Sequence, residues 1–150
     1  MRQVHDAEPR LMYRLLLSLL LAISAPAAAQ TAAPPPQPEW RTASEQQVLL
    51  RLNAFEPDEI RLVAGQPARL VFYNQSRAPL SLQAEGFFER AVVRSGDADL
   101  VQNGGMVLQP GETRAITLVP SEGRYRMRSR NWFRRLIGMS ALIVVEPAAS

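Results

Sequence analysis

The chain has 150 residues, of which 47% are hydrophobic, enough for the core of one domain. It has no cysteine and a single histidine, His5, so disulfides, thiolate metal sites and cysteine nucleophiles are excluded. The formal net charge is only +3, which is not the strongly basic balance typical of a nucleic-acid-binding domain. We therefore expect no nucleic-acid partner.

The first 29 residues resemble a secretory signal peptide. Positive charges precede an apolar stretch over 15–25, and three alanines at 27–29 form a small-residue cleavage site. The stretch is shorter than the ~20 residues that a membrane-spanning helix needs. We expect removal of the signal, a periplasmic protein and no stable membrane insertion after cleavage, whether translation starts at Met1 or Met12.

Residues 30–45 are rich in Pro and Ala and predict a linker, since Pro34–Pro36 favour polyproline II and nothing there can form a core. A domain follows over 46–146, with a short C-terminal tail at 147–150.

Short β-patterned runs with turn signals between them fill that domain, which is typical of an all-β sandwich. The segment 85–90 has room for one helical turn. The predicted strands cover 48–53, 60–63, 68–73, 80–83, 91–94, 106–108, 113–119, 124–130 and 138–145.

Three segments carry a resemblance to a known family. The run GRYRMRSRNWFRRLIGMSALIVV at 123–145 resembles the C-terminal copper loop of the cupredoxins, with Tyr125 and Met139 at matching positions. EIRLVAGQPARLVFYN at 59–74 and LQPGETRAITLVPSEGRYRM at 108–127 are similar to the opening strands and the Pro-Gly-Glu turn of the same family. The resemblance covers 48–146 and implies a cupredoxin-like Greek-key β-sandwich, as in small periplasmic cupredoxin-like proteins.

The same resemblance implies four copper-ligand positions, namely two His, one Cys and one Met. Here they are Leu80, Ser129, Arg134 and Met139. A blue-copper centre needs a thiolate, two imidazoles and a weak axial thioether, so only the weakest ligand remains. Arginine has no lone pair to offer, and a serine hydroxyl cannot replace a thiolate. We therefore expect no copper cofactor, and a pocket filled by hydrocarbon around Leu80.

Arginines alternate with Tyr125, Met127 and Ser129, which in a strand predicts arginines outside and the other side chains toward the core. The outward arginines are Arg124, Arg126, Arg128 and Arg130. One interpretation is a solvated face on which some of the arginines pair with Glu56, Glu59, Glu85 or Glu89. The other is a docking or anion-binding patch, in which guanidinium groups hold carboxylate or phosphate.

The loop after this strand is the candidate partner-binding site. Its residues are Arg130, Trp132, Phe133, Arg134 and Arg135. In copper-loaded relatives this loop borders the docking surface, and Trp and Arg are enriched at interface hot spots. The alternative is that Trp132 folds inward and plugs the former metal pocket.

We interpret the chain as a secreted, copper-free binding or assembly module with an unknown envelope protein as partner, accessory to envelope metal uptake or to a redox complex. We expect no enzyme activity, because no histidine or cysteine of the mature chain is available and Ser129 has no visible base.

The alternative is a carrier of Cu(I) or iron with a non-standard methionine and carboxylate site. Its candidate ligands are Met106, Met127 and Met139, with Glu89, Asp97 and Asp99. For the methionines the default expectation is core packing, and for the carboxylates a solvated loop.

Overall fold

The computed structural model describes residues 38–136 and 138–149, so the predicted signal peptide and half of the predicted linker lie outside the described residues. Two short α-helices are present, α1 (Glu85–Arg90) and α2 (Trp132–Leu136), with 3₁₀ turns at Trp40–Thr42 and Ser95–Gly104. The strands are β1 (Ser44–Leu50), β2 (Phe55–Glu56), β3 (Glu59–Val63), β4 (Ala68–Asn74), β5 (Leu80–Gln83), β6 (Val92–Val93), β7 (Gly105–Leu108), β8 (Thr113–Val119), β9 (Gly123–Ser129) and β10 (Ser140–Glu146).

The strands form two five-stranded sheets. Sheet A has the order β2-β1-β4-β8-β6, with β1 and β4 parallel. Sheet B has the order β3-β10-β9-β5-β7, with β3 and β10 parallel. Successive strands repeatedly change sheets, so the predicted all-β Greek-key sandwich is confirmed.

Alternation along the strands builds the core. In β4, Leu70 and Phe72 point away from solvent, and in sheet B Met127 and Ile143 do the same. Each fully buried side chain of this kind contributes about 1.5–3 kcal/mol relative to an exposed one. Packing of the two inner faces therefore stabilises the sandwich. The residues that alternate with the buried ones form its outer surface.

Strand directions give the sandwich two distinct ends. β1, β4 and β9 run toward one end, here called the tip, where 51–58, 75–79, 109–112 and 130–139 connect the strands. The opposite end, here called the base, holds the β3–β4 turn.

Both ends of the domain's chain are fixed beside that turn at the base. The Ser44 N–H donates to the Pro67 carbonyl at 3.1 Å, and the Ala64 N–H donates to the Glu146 carbonyl at 2.8 Å. The first strand therefore starts, and the last strand ends, at the base.

Some boundaries differ from those predicted. β1 starts at Ser44, before the predicted domain boundary at 46, because it pairs in parallel with β4 from Ala68 onward. It ends at Leu50, and Leu52 turns into solvent, since the chain bends at 52–53 before β2. Among residues 38–136 and 138–149, no helix is long and apolar enough to cross a membrane.

Candidate functional site

The structure brings the four ligand-related positions together at the tip. The Ser129 N–H donates to the Met139 carbonyl at 3.4 Å, and the Met139 N–H donates to the Arg134 carbonyl at 3.0 Å. Leu82 of β5 lies opposite Ser129, and Leu80 lies two residues nearer the tip on the same face. These hydrogen bonds and strand pairs hold the four positions in one backbone frame at the tip.

The side chains at these four positions pack in the core or make hydrogen bonds within the protein. Leu80 is buried hydrocarbon. The buried Ser129 Oγ accepts a hydrogen bond from the Asn131 N–H at 3.3 Å, and Arg134 Nη1 donates to the Leu52 carbonyl at 3.0 Å. Met139 thus offers one buried thioether without imidazole or thiolate beside it. Within the described ranges no group of three or more His, Cys, Asp or Glu is placed to hold a metal ion.

Asn74 fixes the loop that leads to Leu80. Its side chain is fully buried, and Nδ2 donates to the carbonyls of Ala78 and Leu108, each at 2.9 Å. Its Oδ1 accepts from the Ser76 N–H at 3.0 Å and from the Ser76 hydroxyl at 2.8 Å. This amide connects β4, the following loop and β7, which belong to both sheets.

The candidate partner-binding loop contains a short helix that the sequence analysis did not predict. Asn131 Oδ1 accepts from the N–H groups of Phe133 at 3.0 Å and Arg134 at 3.3 Å, which caps α2. Asn131, a residue type favoured at helix N-caps, is the sequence signal from which this helix start could have been predicted. Of the two positions considered for Trp132, the structure has the exposed one, because the capped helix directs it away from the core.

Four of the six exposed large hydrophobic side chains of the described chain lie at the tip. They are Leu52, Trp132, Phe133 and Leu136, exposed by 52%, 68%, 55% and 75%, and are called here the tip patch. The rings of Trp132 and Phe133 meet edge to face at 5.9 Å. The bond from Arg134 to the Leu52 carbonyl joins α2 to the β1–β2 turn, so the patch includes both segments.

The predicted orientation of β9 is confirmed. Met127 and Ser129 are buried and Tyr125 is half-buried, while the alternating arginines face solvent. These four, Arg124, Arg126, Arg128 and Arg130, are called here the arginine stripe.

The acid partners considered for the stripe do not pair with it. Glu56 pairs with Arg51 at 2.8 Å and Glu59 with Arg61 at 2.6 Å. In the part of the chain that the structure describes, no carboxylate lies within 4.0 Å of a guanidinium nitrogen of the stripe. The stripe is therefore a solvent-facing strand face, but the expected pairing of some of its arginines with these acids is absent among the described residues.

Asp97 does not lie in a solvated loop, so that expectation is wrong for this residue. It is buried in the 3₁₀ segment, where Arg94 Nη2 and Nε donate to its two oxygens at 3.0 and 3.1 Å. The Thr117 N–H donates to Oδ2 at 2.9 Å. Burial opposes ionisation, but the Arg94 and Thr117 hydrogen bonds outweigh it and lower the pKa of Asp97.

Comparisons with known proteins identify the fold. No family model matches the chain, and no curated protein sequence matches it. Among solved structures, a dithionite-reduced auracyanin from Roseiflexus castenholzii is similar, with a TM-score of 0.51, 16% identity, and coverage of 71% of this chain and 99% of that one. Auracyanin B gives a TM-score of 0.51, 20% identity, and coverage of 71% and 91%.

A multicopper oxidase from Pseudomonas thermotolerans gives a TM-score of 0.55 and 16% identity over 72% of this chain, but over only 30% of the oxidase. At these identities the likeness concerns the fold alone. The chain folds as a cupredoxin-like domain.

Proposed function

We propose that this chain is a copper-free, periplasmic binding module that docks an envelope protein partner through the tip, accessory to envelope metal uptake or to a redox complex. It holds its partner by contact and catalyses no reaction. The docking residues are Trp132, Phe133, Arg134, Arg135 and Arg130, with Leu136 and Leu52 extending the apolar part of the surface.

The exposure of the tip patch is the observation that carries this proposal. A tryptophan, a phenylalanine and two leucines at one end leave apolar area in water that a partner would cover. Arg134 and Arg135 lie beside them on α2, without a carboxylate within 4.0 Å among the described residues. Aromatic anchors ringed by arginine are typical of interface hot spots.

The copper-free part of the proposal is supported by the donor set. Leu80, Ser129 and Arg134 supply neither a thiolate nor an imidazole, and Met139 alone is a weak ligand. The alternative of a methionine and carboxylate carrier gains no support from Asp97, whose oxygens are both used by Arg94 and Thr117.

Truncation of Trp132 tests the docking. Trp132→Ala should weaken capture of a partner from envelope extract by about thirtyfold, since removing a hot-spot side chain costs at least ~2 kcal/mol. The thermal unfolding midpoint should not change, because the side chain is exposed.

Val92→Ala is the matched control, because Val92 is an exposed apolar residue on β6 of sheet A, where it pairs with Val119 at the base end of β8. Capture that is unaffected by Trp132→Ala, with a midpoint lowered by several degrees, would assign Trp132 a structural role and contradict the docking proposal.

The periplasmic location rests on the secretory pattern of residues 1–29. Intact-mass analysis of the protein from the envelope fraction should give a chain that starts near Gln30. Retention of residues 1–29 in a membrane pellet would contradict this location.

A further inference from the structure

A concavity of about 520 Å³ lies on sheet B where β9 meets α1. Arginine is its most frequent lining residue, with Arg124, Arg126 and Arg128 from β9 and Arg135 from α2. The half-buried Tyr125 adds aromatic surface, and the buried Phe87 packs against it with ring centroids 5.5 Å apart. This feature is called here the arginine groove.

The positive charge of the groove is not compensated by neighbouring strands. Opposite charges on directly paired residues normally stabilise a sheet. Opposite the three arginines, however, β10 places Val144, Leu142 and Ser140, and β5 places Gln83 opposite Arg128. Uncharged neighbours thus leave like charges to repel one another along one strand.

One acid, Glu85, also lines the groove, and it is already engaged. Its Oε1 accepts a hydrogen bond from Gln83 Nε2, and no guanidinium nitrogen of the described chain lies within 4.0 Å of its carboxylate. The guanidinium groups of the groove are therefore available to an external anion. Guanidinium groups bind carboxylates well, because two N–H groups can donate to two oxygens at once.

We infer that the arginine groove binds an extended, acidic segment of a partner protein. The guanidinium groups recur every second residue of β9, which corresponds to about 7 Å. An extended peptide with acidic residues at alternate positions presents carboxylates at that same spacing. Its charge is complementary to the three arginines in register.

The surroundings of the arginines favour a peptide over a phosphate polymer. Leu142 and Val144 are half-buried beside the arginines on the same face of sheet B, and the half-buried Tyr125 forms part of the wall. These apolar groups can contact the side chains that alternate with the acidic ones, whereas a phosphate chain has no apolar groups to place there.

This site goes beyond the proposed function of the tip. The tip patch is apolar and lies on α2 and the β1–β2 turn, whereas the groove is cationic and lies mainly on β9 and α1, with Arg135 of α2 at the border of both. Occupation of the groove does not need Trp132. The two sites are therefore separable by mutation.

Fluorescence anisotropy with a labelled peptide of alternating Glu and Thr tests the inference. A peptide with Gln in place of Glu is the uncharged control. The Glu peptide should bind the protein in 50 mM salt and weaken as salt increases, and the Gln peptide should not bind. The combined R124Q, R126Q and R128Q variant should bind the Glu peptide about tenfold more weakly or worse. Trp132→Ala should bind it like the original protein.

The control variant combines R61Q, R69Q and R114Q, which removes the same charge from strand arginines that have acidic partners. This control variant should bind the Glu peptide with the affinity of the original protein, and circular dichroism should show that both triple variants are folded. Equal losses of affinity for the Glu peptide in the two triple variants would mean that net charge alone explains the binding, and would overturn the proposed site. Tighter binding of a phosphate polymer or of anionic phospholipid vesicles than of the Glu peptide would also overturn it.

Discussion

At the scale of single residues, Asp97 shows how a buried charge is kept ionised. Arg94 and the Thr117 N–H supply three hydrogen bonds to its carboxylate, and together they lower its pKa although burial acts in the opposite direction. They also connect the 3₁₀ segment to β8 of sheet A. This carboxylate therefore has a structural role.

The lowered pKa predicts a pH-dependent contribution to stability. A group with a folded-state pKa below its unfolded value of 3.8 stabilises the fold above that value, and this contribution is lost as pH falls through the folded pKa. Asp97→Asn should lower the free energy of unfolding at pH 7 by about 1–3 kcal/mol, because it leaves Arg94 without its charged partner.

Urea denaturation at pH 7 and at pH 3 measures the difference in the free energy of unfolding between the original protein and Asp97→Asn. This difference should be smaller at pH 3. Asp99→Asn is the control, since Asp99 is exposed and bonded only to the Gln102 side chain at 3.1 Å. A difference of equal size at both pH values would mean that the packing of Asp97, and not its charge, stabilises the protein.

Residue orientation could be predicted where it depends on local alternation. Arg126 and Met127 point to opposite sides because β9 is a regular strand, and the sequence pattern indicated this. The position of Trp132 could not be predicted, because it depends on α2 and on the bond from Arg134 to Leu52, which is 82 residues away in the chain. A contact between such distant residues leaves no periodic signal.

At the scale of elements, strands bounded by clear turn residues were predictable, and those defined by their pairing were not. β5 and β8 have the predicted bounds, because each is an uninterrupted β-patterned run between turn residues. β2 has only two residues and exists through its pairing with Leu49 and Leu50. The helix α2 was missed, because five residues are too few to show helical periodicity.

The pairing of β5 with β7 depends on a close backbone approach at Gly105. Gly105 lies opposite Gln83, and a Cβ atom at Gly105 would overlap the carbonyl oxygen of Leu82. Its backbone is extended, with φ of −171°, so only space requires glycine here.

Gly105→Ala should therefore lower the free energy of unfolding by about 1–3 kcal/mol, the usual cost of overpacking. Gly96→Ala is the control, since nothing lies within 4 Å of a Cβ atom there. The midpoints of chemical denaturation of the two variants should differ, and equal midpoints would show that β7 can shift without cost.

At the scale of the whole molecule, a cupredoxin-like fold and a copper-binding donor set are separate properties. The frame around Ser129 and Met139 is kept through backbone hydrogen bonds, which do not depend on side-chain identity. The donors depend wholly on that identity. The sequence could therefore predict the fold and the side-chain types at these positions, but not the contacts of Arg134.

Titration with Cu(II) tests whether the protein can have this fold without forming a blue-copper centre. The purified protein should show no intense visible absorption band, because no thiolate is present to donate charge to the metal. A stoichiometric Cu(I) complex that is lost in Met139→Ala would instead favour the metal-carrier alternative.

The start of β1 and the end of β10 both lie at the base, which has a practical consequence for attaching other proteins. β1 leaves the base at Ser44 and β10 returns to it at Glu146, each as a seven-residue strand about 23 Å long. A reporter protein fused after Glu146 is thereby kept one strand length from α2. The domain is also suited to insertion within a surface loop of another protein, where its two ends would need only a short opening in the host chain.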